Sequence, residues 1–203
     1  MVQIAFLDTN VILDYLENRN SEVTYIVRRL IDLYKKGKIV IATSIFNVAE
    51  LIDKEFEINF FGDLLHKRLS FDEIIRKKHD KKLYRDAAQK YKKDIEKKIQ
   101  EFLFDNEIKI LCLYFATDDE GEKNLETYKE LYNLIYEYQF SSQDALIVAT
   151  ALKNGVTYFL SNDDDLVGQL NQKGLLDAYN LRERTQRTSF VDNVLDTISE
   201  VLK

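Results

Sequence analysis

At 203 residues, 45% of them hydrophobic, the chain is long enough for one domain with a sizeable core, or for one domain carrying a large insertion. A single cysteine, Cys112, excludes an internal disulfide framework and reads as a reduced core residue. No apolar run reaches the length of a membrane span and the first residues lack a signal-peptide pattern, so the expected location is cytoplasmic with no membrane partner.

The net charge of −6 conceals a segregation. From Arg76 to Lys98, eleven Lys and Arg stand against four Asp and Glu, a local balance of +7 that leaves −13 on the rest of the chain. A solvated helix face is the plain reading of such a run. Its excess of one sign also suits an anionic partner at the arm and a cation in the body.

In chain order, Ile4-Ala5-Phe6-Leu7 reads as a buried strand that exits into Asp8-Thr9-Asn10, followed by a helical pattern. Val23 to Lys36 predicts an amphipathic helix stopped by Gly37. Ile39 to Ala42 predicts a second buried strand ending at Thr43-Ser44. With Ser44 as cap, a helix follows whose apolar stripe is Ile45, Val48, Ala49, Ile52 and Phe56, with Glu50 at its border. From Asp53 to Asn106 the pattern is helical, with a break expected at Gly62-Asp63; Leu83, Ala87, Tyr91, Ile95, Ile99 and Phe102 make the second stripe.

Ile108 to Phe115 predicts a third strand, and Asp118 to Tyr138 a helix whose Tyr128 and Tyr132 read as core or subunit contacts. Ser141 or Ser142 caps a nearly all-apolar helix that Gly155 ends, with Ala145 and Ala149 small enough to lie close on a sheet. Val156 to Leu160 predicts the fourth strand, with Asp163, Asp164 and Asp165 just past its end. Leu175 to Leu181 is weakly strand-like, and Thr188 or Ser189 caps a final helix to about residue 203. Strands alternating with helices predict an α/β domain around a parallel sheet of about four or five strands.

Asp8 and Asp163 each follow a strand, and loops leaving parallel strands share one edge. Each acid also has an ordinary explanation: Asp8 as an N-cap, Asp144 as a first-turn acid behind Ser141, Asp163 to Asp165 as an Asx turn or cap. Two carboxylates about 4 Å apart repel by about 4 kcal/mol at an effective dielectric of about 20, so a true cluster needs protons or a metal. On that ground Asp8→Asn or Asp144→Asn is expected to leave the metal-free protein as stable or more so. Oxygen ligands without nearby His or Cys favour Mg²⁺ or Mn²⁺. Among nucleophilic arrangements, no Ser/His/Asp or Cys/His pattern is present, nor is a Gly-rich phosphate loop.

Four segments, in order, carry a resemblance: Phe6-Leu7-Asp8-Thr9-Asn10; Thr43-Ser44 through Ala49-Glu50-Leu51; Asp144-Ala145-Leu146 with Ala149; and Leu160-Ser161-Asn162-Asp163-Asp164-Asp165-Leu166. Together they resemble PIN-domain proteins, specifically the VapC-like toxin ribonucleases. The resemblance covers roughly residues 1–57 and 108–181. It implies a PIN-like three-layer α/β sandwich over residues 1–203, with a helical insertion at about 54–106 and a C-terminal helix at about 188–203. It implies a metal-dependent endoribonuclease whose catalytic quartet is Asp8, Glu50, Asp144 and Asp163. Asp165 would join them on Mg²⁺ or Mn²⁺, and Asn10 and Ser161 would support the site. Lys77, Lys78, Lys81, Lys82, Arg85, Lys92 and Lys93 would then hold RNA phosphates. An antitoxin protein and a homodimer are the implied protein partners. Two other readings stay open: a PIN-like module that binds RNA or protein without cutting, and a DNA nuclease or other phosphoesterase.

Overall fold

Runs such as Ile4–Leu7 and Ile39–Ala42, apolar without alternation, fit strands covered on both faces. They form β1 (Gln3–Leu7) and β2 (Ile39–Ser44) in a computed structural model that describes residues 2–113 and 121–200, the side chains of 121–124 excepted. With β3 (Lys109–Leu111), β4 (Tyr158–Ser161) and β5 (Asp177–Asn180) they make a five-stranded sheet in the order β3-β2-β1-β4-β5. Every neighbouring pair is parallel. The expected α/β architecture is thus a five-stranded parallel sheet flanked by helices. The chain steps from β1 outward to β2 and β3, then crosses to β4 on the other side of β1. That places the topological switch point between β1 and β4, where crevices form at the carboxyl ends of strands.

The chain divides into two compact units, residues 1–48 with 107–203, and residues 49–106. The first holds the sheet with α1 (Thr9–Leu16), α2 (Ser21–Lys35), α6 (Gly121–Tyr136), α7 (Ser142–Lys153) and α8 (Asp164–Gln172). Ala145 and Ala149 of α7 are fully buried in one cluster with Phe6 and Phe159, as their size predicts. Ser141 caps α7, accepting from the Asp144 N–H. Past its end, Gly155 takes φ +65°, and Val156 N–H bonds back to Ala151 O. A Cβ added at Gly155 meets nothing within 4 Å, so Gly155→Ala costs only left-handed backbone strain, about 1–2 kcal/mol. The expected fall in melting temperature is roughly 2–8 °C.

The second unit is helical: the body of α3 (Ile45–His66), then α4 (Phe71–Lys78) and α5 (Lys81–Asp105). Phe56 meets the Tyr84 ring at 4.5 Å between centroids, and Phe60, Leu64, Tyr91, Ile95 and Ile99 are buried. The break expected at Gly62-Asp63 is absent, because α3 runs unbroken to His66. One glycine costs a helix about 1 kcal/mol, which the buried Phe60 and Leu64 beside it offset. The turn falls instead at Arg68, with φ +55°, and Ser70 opens α4 with a capping box to Glu73.

Further differences have local causes. The buried face of α3 contains Asn47, Val48, Leu51 and Glu55, whereas Ile45 and Ile52 of the expected stripe are exposed. Cys112 is half-buried past the end of β3, not a core residue. Tyr128, Tyr132 and Tyr136 are exposed on α6 and shield one another, the last two with ring centroids 4.6 Å apart. The last helical stretch begins earlier than Thr188: α9 (Arg184–Phe190) is capped by Glu183, a π-helical turn covers Val191–Asp196, and α10 spans Thr197–Glu200. The Thr185 and Gln186 N–H groups that Glu183 caps hold its carboxyl below the usual range, with Gln186 the larger influence. The expected third-strand residues Tyr114 and Phe115, the expected helix start at Asp118, and residues 201–203 lie outside the described residues.

Candidate functional site

β1 and β4 pair with Leu7 opposite Leu160 and Phe6 opposite Phe159. Side chains two residues apart share a strand face, so the step that stacks Phe6 on Phe159 also lays Asp8 beside Ser161. Asp8 N–H bonds Leu160 O at 3.0 Å and closes the pairing. Asp8 is then the N-cap of α1, only 6% exposed.

Donors surround its carboxylate. Oδ2 accepts from the Ser161 hydroxyl at 2.6 Å. Oδ1 accepts from Thr9 N–H and from Asn47 Nδ2, both at 2.8 Å. Asn47 is fully buried, donates also to Thr9 Oγ1 at 3.0 Å, and accepts from the Ser44 hydroxyl at 2.5 Å. Ser161 Oγ in turn accepts from Asp163 N–H at 3.1 Å and from Asn10 Nδ2 at 3.3 Å. The structure therefore brings Asp8, Asn10, Ser161 and the main chain of Asp163 into one hydrogen-bonded group.

The other predicted acids sit close to helix starts. Asp163 is the exposed N-cap of α8, its Oδ1 accepting from Leu166 N–H at 3.0 Å. Asp165 is exposed in the first turn of α8. Asp144, in the first turn of α7, accepts from the Ser141 hydroxyl at 2.6 Å. A helix that leads through a tight turn into a parallel strand runs antiparallel to it, so the start of α7 falls at the carboxyl edge along with those of α1 and α8. Helix dipoles favour carboxylates there. Glu50 is half-buried one turn beyond Asn47 on α3 and counts with the second unit.

Behind Asp8 lies a polar layer that the sequence did not reveal. Asn162 N–H donates to Asn10 Oδ1 at 2.9 Å, and its Nδ2 donates to Asn10 O at 3.2 Å and to Asp14 Oδ2 at 2.9 Å. Asp14 is completely buried and receives Arg182 Nε at 2.8 Å and Nη2 at 2.6 Å. The Asp14 carboxylate holds the Arg182 guanidinium above its ordinary pKa. Asn47 had a sequence signal, the Ser44-x-x-Asn47 capping spacing. Asp14 and Arg182 had none.

In the second unit, Lys78 bonds Glu57 at 3.0 Å. Lys81, Lys82, Arg85, Lys92 and Lys93 are exposed on α5, and Lys77 is half-exposed on α4. Steps of four and seven put Lys81, Arg85 and Lys92 on one side of the helix. Lys90, outside the predicted set, pairs with Asp63 and holds that carboxyl below its usual range.

The acids named here offer only oxygen ligands, a chemistry suited to hard divalent cations. Among the described residues, no three Asp, Glu, His or Cys side chains gather closely enough to hold one ion. No helix among them is long and apolar enough to cross a membrane.

A parallel sheet with a clasped aspartate at its switch point defines an α/β protein whose candidate chemistry sits at the carboxyl edge. The chain belongs to the PIN domain family, whose model matches residues 5–169, and PIN domains are generally nucleases. No curated protein matches it in sequence. Among solved structures it is similar to a chain in the crystal structure of VapBC2 from Rickettsia felis bound to a DNA fragment from their promoter. The identity is 15%, the match spans 87% of this chain and 97% of that one, and the TM-score is 0.47.

Proposed function

We propose that the protein is a metal-dependent endoribonuclease in which Asp8, Glu50, Asp144 and Asp163, with Asp165, would be the ligands of Mg²⁺ or Mn²⁺, drawn closer on binding than they stand in the metal-free protein. One observation carries this reading: a buried carboxylate at the switch point of a PIN-family sheet, oriented by Ser161 and Asn47. Orientation of a ligand side chain by a surrounding shell of hydrogen bonds is what metal sites require. A bound ion would supply Lewis-acid stabilisation of the phosphodiester and its leaving oxygen. The exposed cations of α5 would hold backbone phosphates. An antitoxin partner and a homodimer belong to the same reading, and size measurement with and without a co-expressed neighbouring gene product tests both.

The deciding experiment incubates RNA with the protein in Mn²⁺, Mg²⁺ or EDTA, alongside Asp144→Asn and with single-stranded DNA as competitor. Cleavage is expected only with metal and to fall at least about 100-fold in the variant. Equal activity in EDTA, or in the variant, sinks the reading; preferential loss of the DNA would make it a DNA nuclease. If Lys81, Lys82, Arg85, Lys92 and Lys93 each neutralise one phosphate, RNA affinity falls about 100-fold between about 50 and about 200 mM salt.

The capping roles of Asp8 and Asp163, and the first-turn place of Asp144 behind Ser141, favour one other reading, a module that holds RNA without cutting. Tight RNA binding in EDTA with no metal-stimulated turnover would select it.

A further inference from the structure

We propose that Asp14 and Arg182 are positioning residues which, through Asn162, set the geometry of the Asp8–Ser161 clasp. The inference rests on the nuclease reading only for its consequence in metal binding and cleavage.

The path is continuous. The Arg182 guanidinium forks onto both oxygens of Asp14, at 2.6 and 2.8 Å. Asp14 Oδ2 takes Asn162 Nδ2 at 2.9 Å. Both neighbours of that Nδ2, Asp14 Oδ2 and Asn10 O, are acceptors, so the Asn162 amide can face only one way. Asn162 N–H fixes Asn10 Oδ1 at 2.9 Å, which leaves Asn10 Nδ2 to donate to Ser161 Oγ. Two donors on the Ser161 oxygen, Asn10 Nδ2 and Asp163 N–H, direct its one proton onto Asp8 Oδ2. Arg182 N–H also bonds Asn180 Oδ1 at 2.8 Å, and Asn180 Nδ2 bonds Asp164 Oδ1 at 2.5 Å. The exits of β1, β4 and β5 are thereby tied to one buried carboxylate.

Stability alone does not account for this arrangement. Asp14 is fully buried while the Arg182 side chain is half-exposed; desolvating the carboxylate offsets part of the attraction, and apolar side chains of similar volume often serve a fold as well. An apolar pair could not aim the Asn162 amide. The ion pair can, because the fork admits one orientation of the guanidinium and so one position for the free lone pair of Asp14.

The test compares wild type, Arg182→Lys and the apolar double variant Asp14→Leu/Arg182→Met. Readouts are melting temperature, Mn²⁺ affinity by calorimetry, kcat and KM on RNA, and hydrogen exchange at the Asp163 amide in EDTA. The double variant leaves no unpaired charge and is expected to stay folded. It should exchange the Asp163 amide at least about tenfold faster, and lose about 10–100-fold in Mn²⁺ affinity and kcat with KM little changed. Arg182→Lys, which keeps the charge but not the fork, should fall between. Unchanged exchange in a folded double variant overturns the inference. If the wild type itself binds no Mn²⁺, the nuclease reading fails separately, and the exchange rates still decide whether Asp14 and Arg182 position the clasp. Should the double variant not fold, Arg182→Lys decides by the same exchange measurement.

Discussion

Asp8→Asn is expected to abolish metal-stimulated RNA cleavage and, in EDTA, to lower stability by about 2–3 kcal/mol, the range of hydrogen bonds to a buried charged group. For a chain of this length that is a drop of roughly 5–10 °C in melting temperature. From sequence alone the sign is opposite, since neighbouring carboxylates repel and an amide would relieve them. The structure reverses it by placing donors against both oxygens: Thr9 N–H and Asn47 Nδ2 on Oδ1, the Ser161 hydroxyl on Oδ2. An amide oriented to keep the first two contacts turns its NH₂ toward Ser161 Oγ. That oxygen already accepts from Asn10 and Asp163, so a third donor arrives with no lone pair to receive it. Turning the amide over merely moves the collision to Asn47. Thermal melting of the metal-free variant separates the two accounts: a melting temperature at or above that of wild type would mean that carboxylate repulsion outweighs the hydrogen bonds lost.

How much of this was legible in the sequence depends on distance along the chain. The strands were legible because apolar runs without alternation have few other uses, and α7 because Ser141, Gly155 and two alanines mark its ends and its close face. The shared edge of Asp8 and Asp163 was legible because both follow strands, whereas Ser161, which bonds Asp8 directly, was implied only by the family resemblance. The buried face of α3 was not. Asn47 and Glu55 are polar residues in core positions, so a hydrophobic stripe drawn through Ile45 and Ile52 points the wrong way. Of the two expectations for the α6 tyrosines, core or subunit contact, only the first is excluded, since rings that cover one another can face water. The break at Arg68 turns on a positive φ that arginine rarely adopts, while Gly62, the residue that adopts it most readily, stays helical. The Asp14–Arg182 pair joins positions 168 apart, and nothing local distinguishes either from a surface charge.

Phe159→Ala is expected to be the most destabilising single change among those considered, costing about 3–5 kcal/mol and roughly 10–15 °C in melting temperature. Phe6 and Phe159 are both fully buried, on adjacent central strands, with ring centroids 5.0 Å apart and planes 13° from parallel. Truncation leaves a cavity between β1, β4 and the α7 helix whose small alanines cannot swell to fill it. The same change should reach the edge, because Ser161 shares its strand face with Phe159 and Asp8 shares its own with Phe6. Phe159→Leu separates the two consequences. It keeps most of the volume and should cost far less than the alanine change, yet it removes the ring that stacks on Phe6. A cycle of Phe6→Leu, Phe159→Leu and the double variant should return a coupling of about 0.5–1.5 kcal/mol. If the Asp163 amide also exchanges faster in Phe159→Leu, the stack holds the clasp in place as well as the core. Additive stabilities with unchanged exchange would mean that the two rings fill space independently and that the polar layer alone fixes Asp8.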